Sequence, residues 1–281
     1  MPKALLFLLL TPFFAFGQKN TYQIYNSKEK KVKYNQLFKQ AQDSDVILFG
    51  EFHDNPIIHW LQLELTKDLF ELDSNLVLGA EMMEADNQLI IDEYLAGYYK
   101  KSKLISESKT WPNFETDYLP LLDFAKSNDL KFIATNIPRR YASMVYNFGI
   151  DTLENLSEQA KTYISPLPIR IDTSHISYQE MLAMGMGHEG DNLPKSQAIK
   201  DATMAYFISK NIVEGGRFIH YHGAFHSKNY EGIYWYLKDL NPDLKILTIG
   251  CEEQEDLSEL NQNHDKADFI IVSPKNMTKT H

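Results

Sequence analysis

Six short runs of the sequence are apolar at nearly every position: DVILFG (45–50), NLVLGAE (75–81), LKFIATN (130–136), RFIHYHG (217–223), LKILTIG (244–250) and ADFIIVS (267–273). A strand with one wet face alternates between polar and apolar residues. A run that does not alternate has to be covered on both faces, the condition of a parallel sheet between layers of helix. Segments with helical spacing separate the runs: PIIHWLQLELTKDLFEL, NQLIIDEYLAGYY, YLPLLDFAKSN, SQAIKDATMAYFISKNI and YEGIYWYLKDL. Strand, helix, strand in this rhythm predicts an α/β fold, a mostly parallel central sheet flanked by helices. From Arg139 to about Gly216 no strand-like run occurs, and Tyr and Met are frequent. An inserted helical subdomain over about 139–216, standing over one end of the sheet, is therefore expected within a single domain of residues 18–281. The polar stretch after Pro274 is expected to fray.

In a parallel sheet the loops beyond the carboxyl ends of the strands converge on one edge, and functional groups collect there. This chain places polar residues at that point repeatedly: Glu51 and His53 after the first run, Glu81 after the second, Asn136 after the third, His222 and His226 after the fourth. Each alone reads better as a cap or a hydrogen-bond partner than as a ligand. Their recurrence is the stronger signal. GEFH (50–53) and GAFH (223–226) are both Gly-x-x-His turns after an apolar strand, the glycine permitting a sharp exit.

The pattern predicts one shared site, with or without a metal. His53, Glu81, His222 and His226 are the candidate ligands of a divalent transition metal, since imidazole with carboxylate suits zinc, iron or manganese. Glu51 and Glu81 are the candidate acid–base groups. His59 and Gln62 lie about one helical turn apart after Pro56 and either face back to the site or belong to a solvated helix face. His220 shares a strand face with His222 and reads as structural.

Composition narrows the function classes. Residues 1–17, MPKALLFLLLTPFFAFG, have one early Lys3, an apolar core and small residues before the expected cleavage, the pattern of a secretory signal peptide. No cysteine lies there to be lipidated, and no later run is long enough to span a bilayer, so an exported, periplasmic or secreted protein is expected. Without Lys3, 27 basic residues stand against 38 acidic ones, a net charge of about −11, which argues against nucleic acid as a partner. The lone Cys251 has no disulfide partner in the chain. GMGHEG (185–190) has the spacing of a dinucleotide fingerprint but follows a helical stretch instead of a strand. His188 within it, beside Met181, Met184 and Met186, is a candidate haem ligand or an ordinary loop residue.

Taken in order, ILFGEFHDNPIIHWLQ, LGAEMME, ATNIPRR, QAIKDATMA and HYHGAFHS resemble the ChaN-like haem-binding uptake proteins, over about Asp45 to Ser227. Their wider superfamily includes the Tiki/TraB proteins and erythromycin esterase-like enzymes. The resemblance implies an α/β core with haem held near the helical subdomain, an axial tyrosine, and two haems stacked across a homodimer. A phenolate ligand suits ferric haem. Tyr141, Tyr146, Tyr163 and Tyr178 lie in the right segment; Asn136 and Arg139, with His59 and Gln62, are expected as residues surrounding the strand-end site. A membrane haem-uptake receptor is the further partner it implies. The Tiki branch implies instead a metal-dependent peptidase at Gly50 to His53, Gly223 to His226 and Glu81. Two readings follow: an exported haem carrier serving haem or iron uptake, and a metal-dependent hydrolase.

Overall fold

All six apolar runs are strands of one sheet in the computed structural model, which describes residues 20–183, 191–262 and 264–281. They are β3 (Val46–Glu51), β4 (Leu76–Glu84), β5 (Lys131–Asn136), β6 (Arg217–Gly223), β7 (Ile246–Gln254) and β8 (Phe269–Pro274). In space they run β8-β7-β3-β6-β4-β5, every neighbouring pair parallel. Two further strands, β1 (Gln23–Asn26) and β2 (Lys31–Val32), add an antiparallel edge beside β8. The sequence reading did not anticipate this edge, because four residues and two residues are too short to display a period.

Side-chain alternation along the strands divides the core. Ile47 and Phe49 of β3, with Ile219 and Tyr221 of β6, face the helices α2 (Pro56–Leu72) and α5 (Leu119–Ser127) through Leu61, Leu65, Leu69, Leu121 and Leu122. Helices α1 (Tyr34–Gln42), α3 (Gln88–Leu95) and α4 (Lys101–Glu107) add Leu37, Ala41, Ile91, Tyr94 and Leu104 to the same core. Val46 and Leu48, with Phe218, face α9 (Asn192–Asn211) and α10 (Ile233–Leu240) through Ala202, Met204, Ala205, Ile208, Ile233 and Leu237. Both faces are thus dry, as the unbroken apolar runs require. Each fully buried Leu or Ile stabilises the fold by about 1.5–3 kcal/mol.

Between β5 and β6 the described residues contain no strand. Helix α6 (Arg139–Phe148) and the short α7 (Glu158–Lys161) and α8 (Ile176–Ala183) precede α9. Tyr141, Ala142 and Val145 of α6 close a smaller core with Leu153, Ile164 and Ile199. Met184, Met186, the GMGHEG stretch with His188, and the expected signal peptide lie outside the described residues. No described helix is long and apolar enough to cross a membrane.

Helix α2 begins at once after β3, and this positions the site. Asn55 accepts from the N–H groups of Ile57 and Ile58 at 3.1 Å each, and Pro56 occupies the first turn, where its missing N–H costs nothing. Asn55 also donates to Ser273 at 2.8 Å, tying the cap to β8. The stretch after Pro274 does not fray, contrary to the sequence-based expectation. Lys275 N–H donates to the Gln254 carbonyl at 2.9 Å, and Thr280 N–H to the Asp54 carbonyl at 3.1 Å. A polar segment is held here because its donors meet acids gathered at the strand ends.

Candidate functional site

Glu51 ends β3 with its carboxylate wholly buried on the α2 face. Three donors converge on it: Gln62 Nε2 at 2.7 Å, the Tyr118 hydroxyl at 2.7 Å, and His53 Nδ1 at 2.9 Å. His59 stands behind, Nδ1 3.5 Å from Glu51 and Nε2 3.2 Å from the His53 carbonyl. His59 and Gln62 therefore turn inward to the site. The His53 carbonyl also accepts from Asn113 at 2.7 Å, and Asn113 donates to Asp117 at 2.6 Å. The loop carrying His53 is held from below, and its side chain stays 35% exposed.

The second group lies on the α9 side of the sheet. His226 Nδ1 meets Asp201 at 2.5 Å and His226 Nε2 meets Glu81 at 3.1 Å. The Gln197 side-chain amide packs against the same imidazole, 2.8 Å from Nδ1, and the Tyr178 hydroxyl donates to Asp201 at 3.1 Å. The second oxygen of Glu81 accepts from the Gly223 N–H at 2.8 Å. Gly223 is where the two groups meet. A Cβ there would stand 2.8 Å from His53 Nε2 and 3.6 Å from Glu81 Oε2. At Gly50 a Cβ would lie 2.9 Å from the Ala224 backbone. Neither glycine has a positive φ, so neither is there for a left-handed turn: Gly50 admits the Ala224 backbone and Gly223 admits the His53 ring.

Burial alone would lower the His226 imidazole, but the charges of Glu81 and Asp201 outweigh it and raise the group to about 10. Burial would raise Glu81; the His226 charge and hydrogen bond, with His53 and the Gly223 N–H, hold it well below the usual range instead. Asp201 is pushed up, because burial exceeds what His226 and Tyr178 return. One imidazolium thus neutralises one carboxylate and leaves the other short of positive charge. For His53 too, burial is outweighed, here by the Glu51 hydrogen bond and the Glu81 charge, and its pKa rises.

His222 does not join Glu81. Its Nε2 pairs with Ser227 at 2.8 Å and its Nδ1 lies 3.1 Å from His220 Nδ1; burial depresses it to about 3. His220 is structural, bonded to Thr135 at 2.7 Å. The structure thus brings His53, Glu81 and His226 together and leaves out His222. Among the described residues no three His, Cys, Asp or Glu side chains stand in a metal-binding arrangement. Asn136 ends β5 opposite Glu84 with a buried Oδ1 that has no partner, and Arg139 is exposed at the start of α6. Asp201, Gln197, Asp117, Asn113 and Tyr118 escaped the sequence reading. Gln197 and Asp201 carried a signal: two polar residues one turn apart on the buried face of α9.

Outside His53 a cavity of about 700 Å³ opens between the ends of β3, β6 and β7. Glu51, Asp54, Glu252, Glu253 and Asp265 line it, against the cations of Lys228 and Lys279. Burial first, and repulsion from Asp265 next, push the Glu252 carboxyl up.

Fold and site together define an α/β protein with a buried histidine–carboxylate centre at the carboxyl edge of a mostly parallel sheet. The family described as haem-binding uptake, Tiki superfamily, ChaN matches residues 37–237, and the chain belongs to it. The structure of ChaN of Campylobacter jejuni, solved for its cofacial haem binding, is similar with a TM-score of 0.68 at 18% identity, over 90% of this chain and 96% of that one. An erythromycin esterase mutant, EreC in its open conformation, gives 0.49 at 11% identity, over 91% of this chain and 83% of that one. Protein RETICULATA-RELATED 5, chloroplastic, of Arabidopsis thaliana is 24% identical over 206 residues, 67% of this chain. This chain spans only 27% of that relative's length.

Proposed function

We propose that the protein binds haem and serves haem or iron uptake as an exported protein. The observation that carries this reading is the family match across residues 37–237. ChaN of Campylobacter jejuni binds haem cofacially, and the shared fold supports the same ligand here. The leader-like residues 1–17 support export, and a homodimer and a membrane receptor are the partners this role calls for.

Charge decides where haem fits. The strand-end cavity, with more carboxylates than lysines, opposes a porphyrin carrying two propionates. Helix α6 suits it better. Tyr141 and Met144 of this helix pack on the smaller core, and Phe148, further along the same side, is 74% exposed. Arg139 and Arg140 begin the same helix, and the Arg140 guanidinium lies 4.3 Å from the Tyr141 ring centre. Tyr141, Tyr146 and Tyr163 are the phenols to test. Tyr178 is 1% exposed, with its hydroxyl turned to Asp201, and burial keeps its phenol far above the ordinary value. It serves the buried centre and not a surface ligand.

Titration of residues 18–281 with hemin tests the proposal. A Soret shift that saturates at a defined stoichiometry, and weakens about tenfold or more in Tyr141→Phe, Tyr146→Phe, Tyr163→Phe or His188→Ala, supports it. Absence of saturable binding contradicts it.

A second reading, a hydrolase, is favoured by one observation: the imidazole–carboxylate pair His53–Glu51 faces a cavity of about 700 Å³. Should a divalent metal bind, His53 Nε2 and Glu81 are the donors beside Gly223, and it would supply an activated water. Metal content that falls in His53→Ala, without specific hemin binding, would favour this reading over the carrier.

A further inference from the structure

One wall of the strand-end cavity does not belong to the sheet. Residues 275–281 return from β8 toward the loop after β3, and Lys279 and His281 line the cavity across from Gly223 and Ala224. The start of this segment is anchored to β7 by Lys275, and the far part is anchored again at the site. The Thr280 hydroxyl donates to Asp117 at 2.7 Å and its N–H to the Asp54 carbonyl at 3.1 Å. The Lys279 ammonium bridges Glu253 and Asp54, the latter at 3.1 Å. Between these anchors Asn276 and Thr278 are exposed, and Met277 N–H makes only a local turn to Pro274 at 3.1 Å.

We propose that residues 275–281 form a strap along one wall of the strand-end cavity that swings aside to widen access to its inner wall. The anchors suit that role. They are polar contacts that water replaces when the strap leaves, and no apolar side chain of the segment enters the main core. The strap is also joined to the site. Asp117, which takes the Thr280 hydroxyl, accepts from Asn113, and Asn113 holds the His53 carbonyl. Releasing Thr280 therefore slackens the loop that carries His53.

The chain contains its own probe. Cys251 is its only cysteine, lines this cavity and is 5% exposed. Its rate of reaction with Ellman's reagent, in native buffer on the full chain, reads the opening of the strap. Thr280→Ala is expected to speed labelling a few-fold, and the double variant Lys279→Ala with Thr280→Ala about tenfold or more. The thermal midpoint should fall by no more than about 4 °C. Lys101→Ala, which breaks an exposed pair with Glu115 away from the cavity, should leave the rate unchanged. A labelling rate in the double variant equal to the parent's overturns the strap. So does an increase that only tracks global unfolding measured in denaturant. If the double variant does not fold, Thr280→Val, which removes the hydroxyl while keeping the shape, decides by the same rate.

Discussion

GEFH and GAFH are the same turn used in two ways. Both leave a parallel strand, both need glycine because a Cβ would stand 2.9 Å from the Ala224 backbone at Gly50 and 2.8 Å from the His53 ring at Gly223, and both deliver a histidine to the same rim. His53 bonds one carboxylate through Nδ1 and stays partly open to the cavity. His226 is clamped at both ring nitrogens between Asp201 and Glu81 and is 6% exposed. An imidazole committed at both nitrogens holds structure and charge, whereas one with a nitrogen to spare can meet a ligand. Identical motifs therefore do not imply identical roles; the partners on neighbouring elements decide.

Substitutions at the two turns should separate these roles. The largest effect is expected for His226→Ala, which leaves Asp201 and Glu81 buried without their shared cation; a loss of about 3–5 kcal/mol in denaturant unfolding is predicted. Gly223→Ala comes next, at about 1–3 kcal/mol, because the new methyl would overlap His53 and force it away from the rim. Crystallography of that variant should find the His53 ring displaced. His53→Ala should cost least, about 1 kcal/mol or less, since Glu51 keeps Gln62 and Tyr118 as donors. A His53 variant less stable than the His226 variant would reverse the assignment.

The pH dependence follows with its sign. His226 has a folded pKa of about 10, above its unfolded value, so its contribution is full below about pH 6.5 and is lost as the pH rises toward 10. Stability measured between pH 7 and 10 should fall in the parent, and His226→Gln should flatten that decline.

Much of this was legible in the chain. Val46–Glu51 and Arg217–Gly223 are strands because unbroken apolar runs need two covered faces, and α2 begins at Pro56 because Asn55 and Pro56 mark a helix start. The gathering of Glu51, His53, Glu81 and His226 followed from strand ends sharing an edge. What was not legible was which partner each side chain finds. Alternation puts His222 on the side of His220, but its capture by Ser227 depends on the turn that follows the strand. Asp201 sits mid-helix one turn from Gln197, a pairing the sequence displays, but its bond to His226 follows only from the packing of α9 on the sheet. The edge strands and the anchoring of residues 275–281 depend on tertiary contacts with no local period.

Imidazole nitrogen NMR across a pH series tests the division between the two turns most directly. His226 should keep both ring protons at pH 8 and release one only toward pH 10, while His222 stays neutral down to about pH 3. If His226 instead titrates near 6.5, with His53 as the more strongly protonated of the two, the buried clamp does not hold as described.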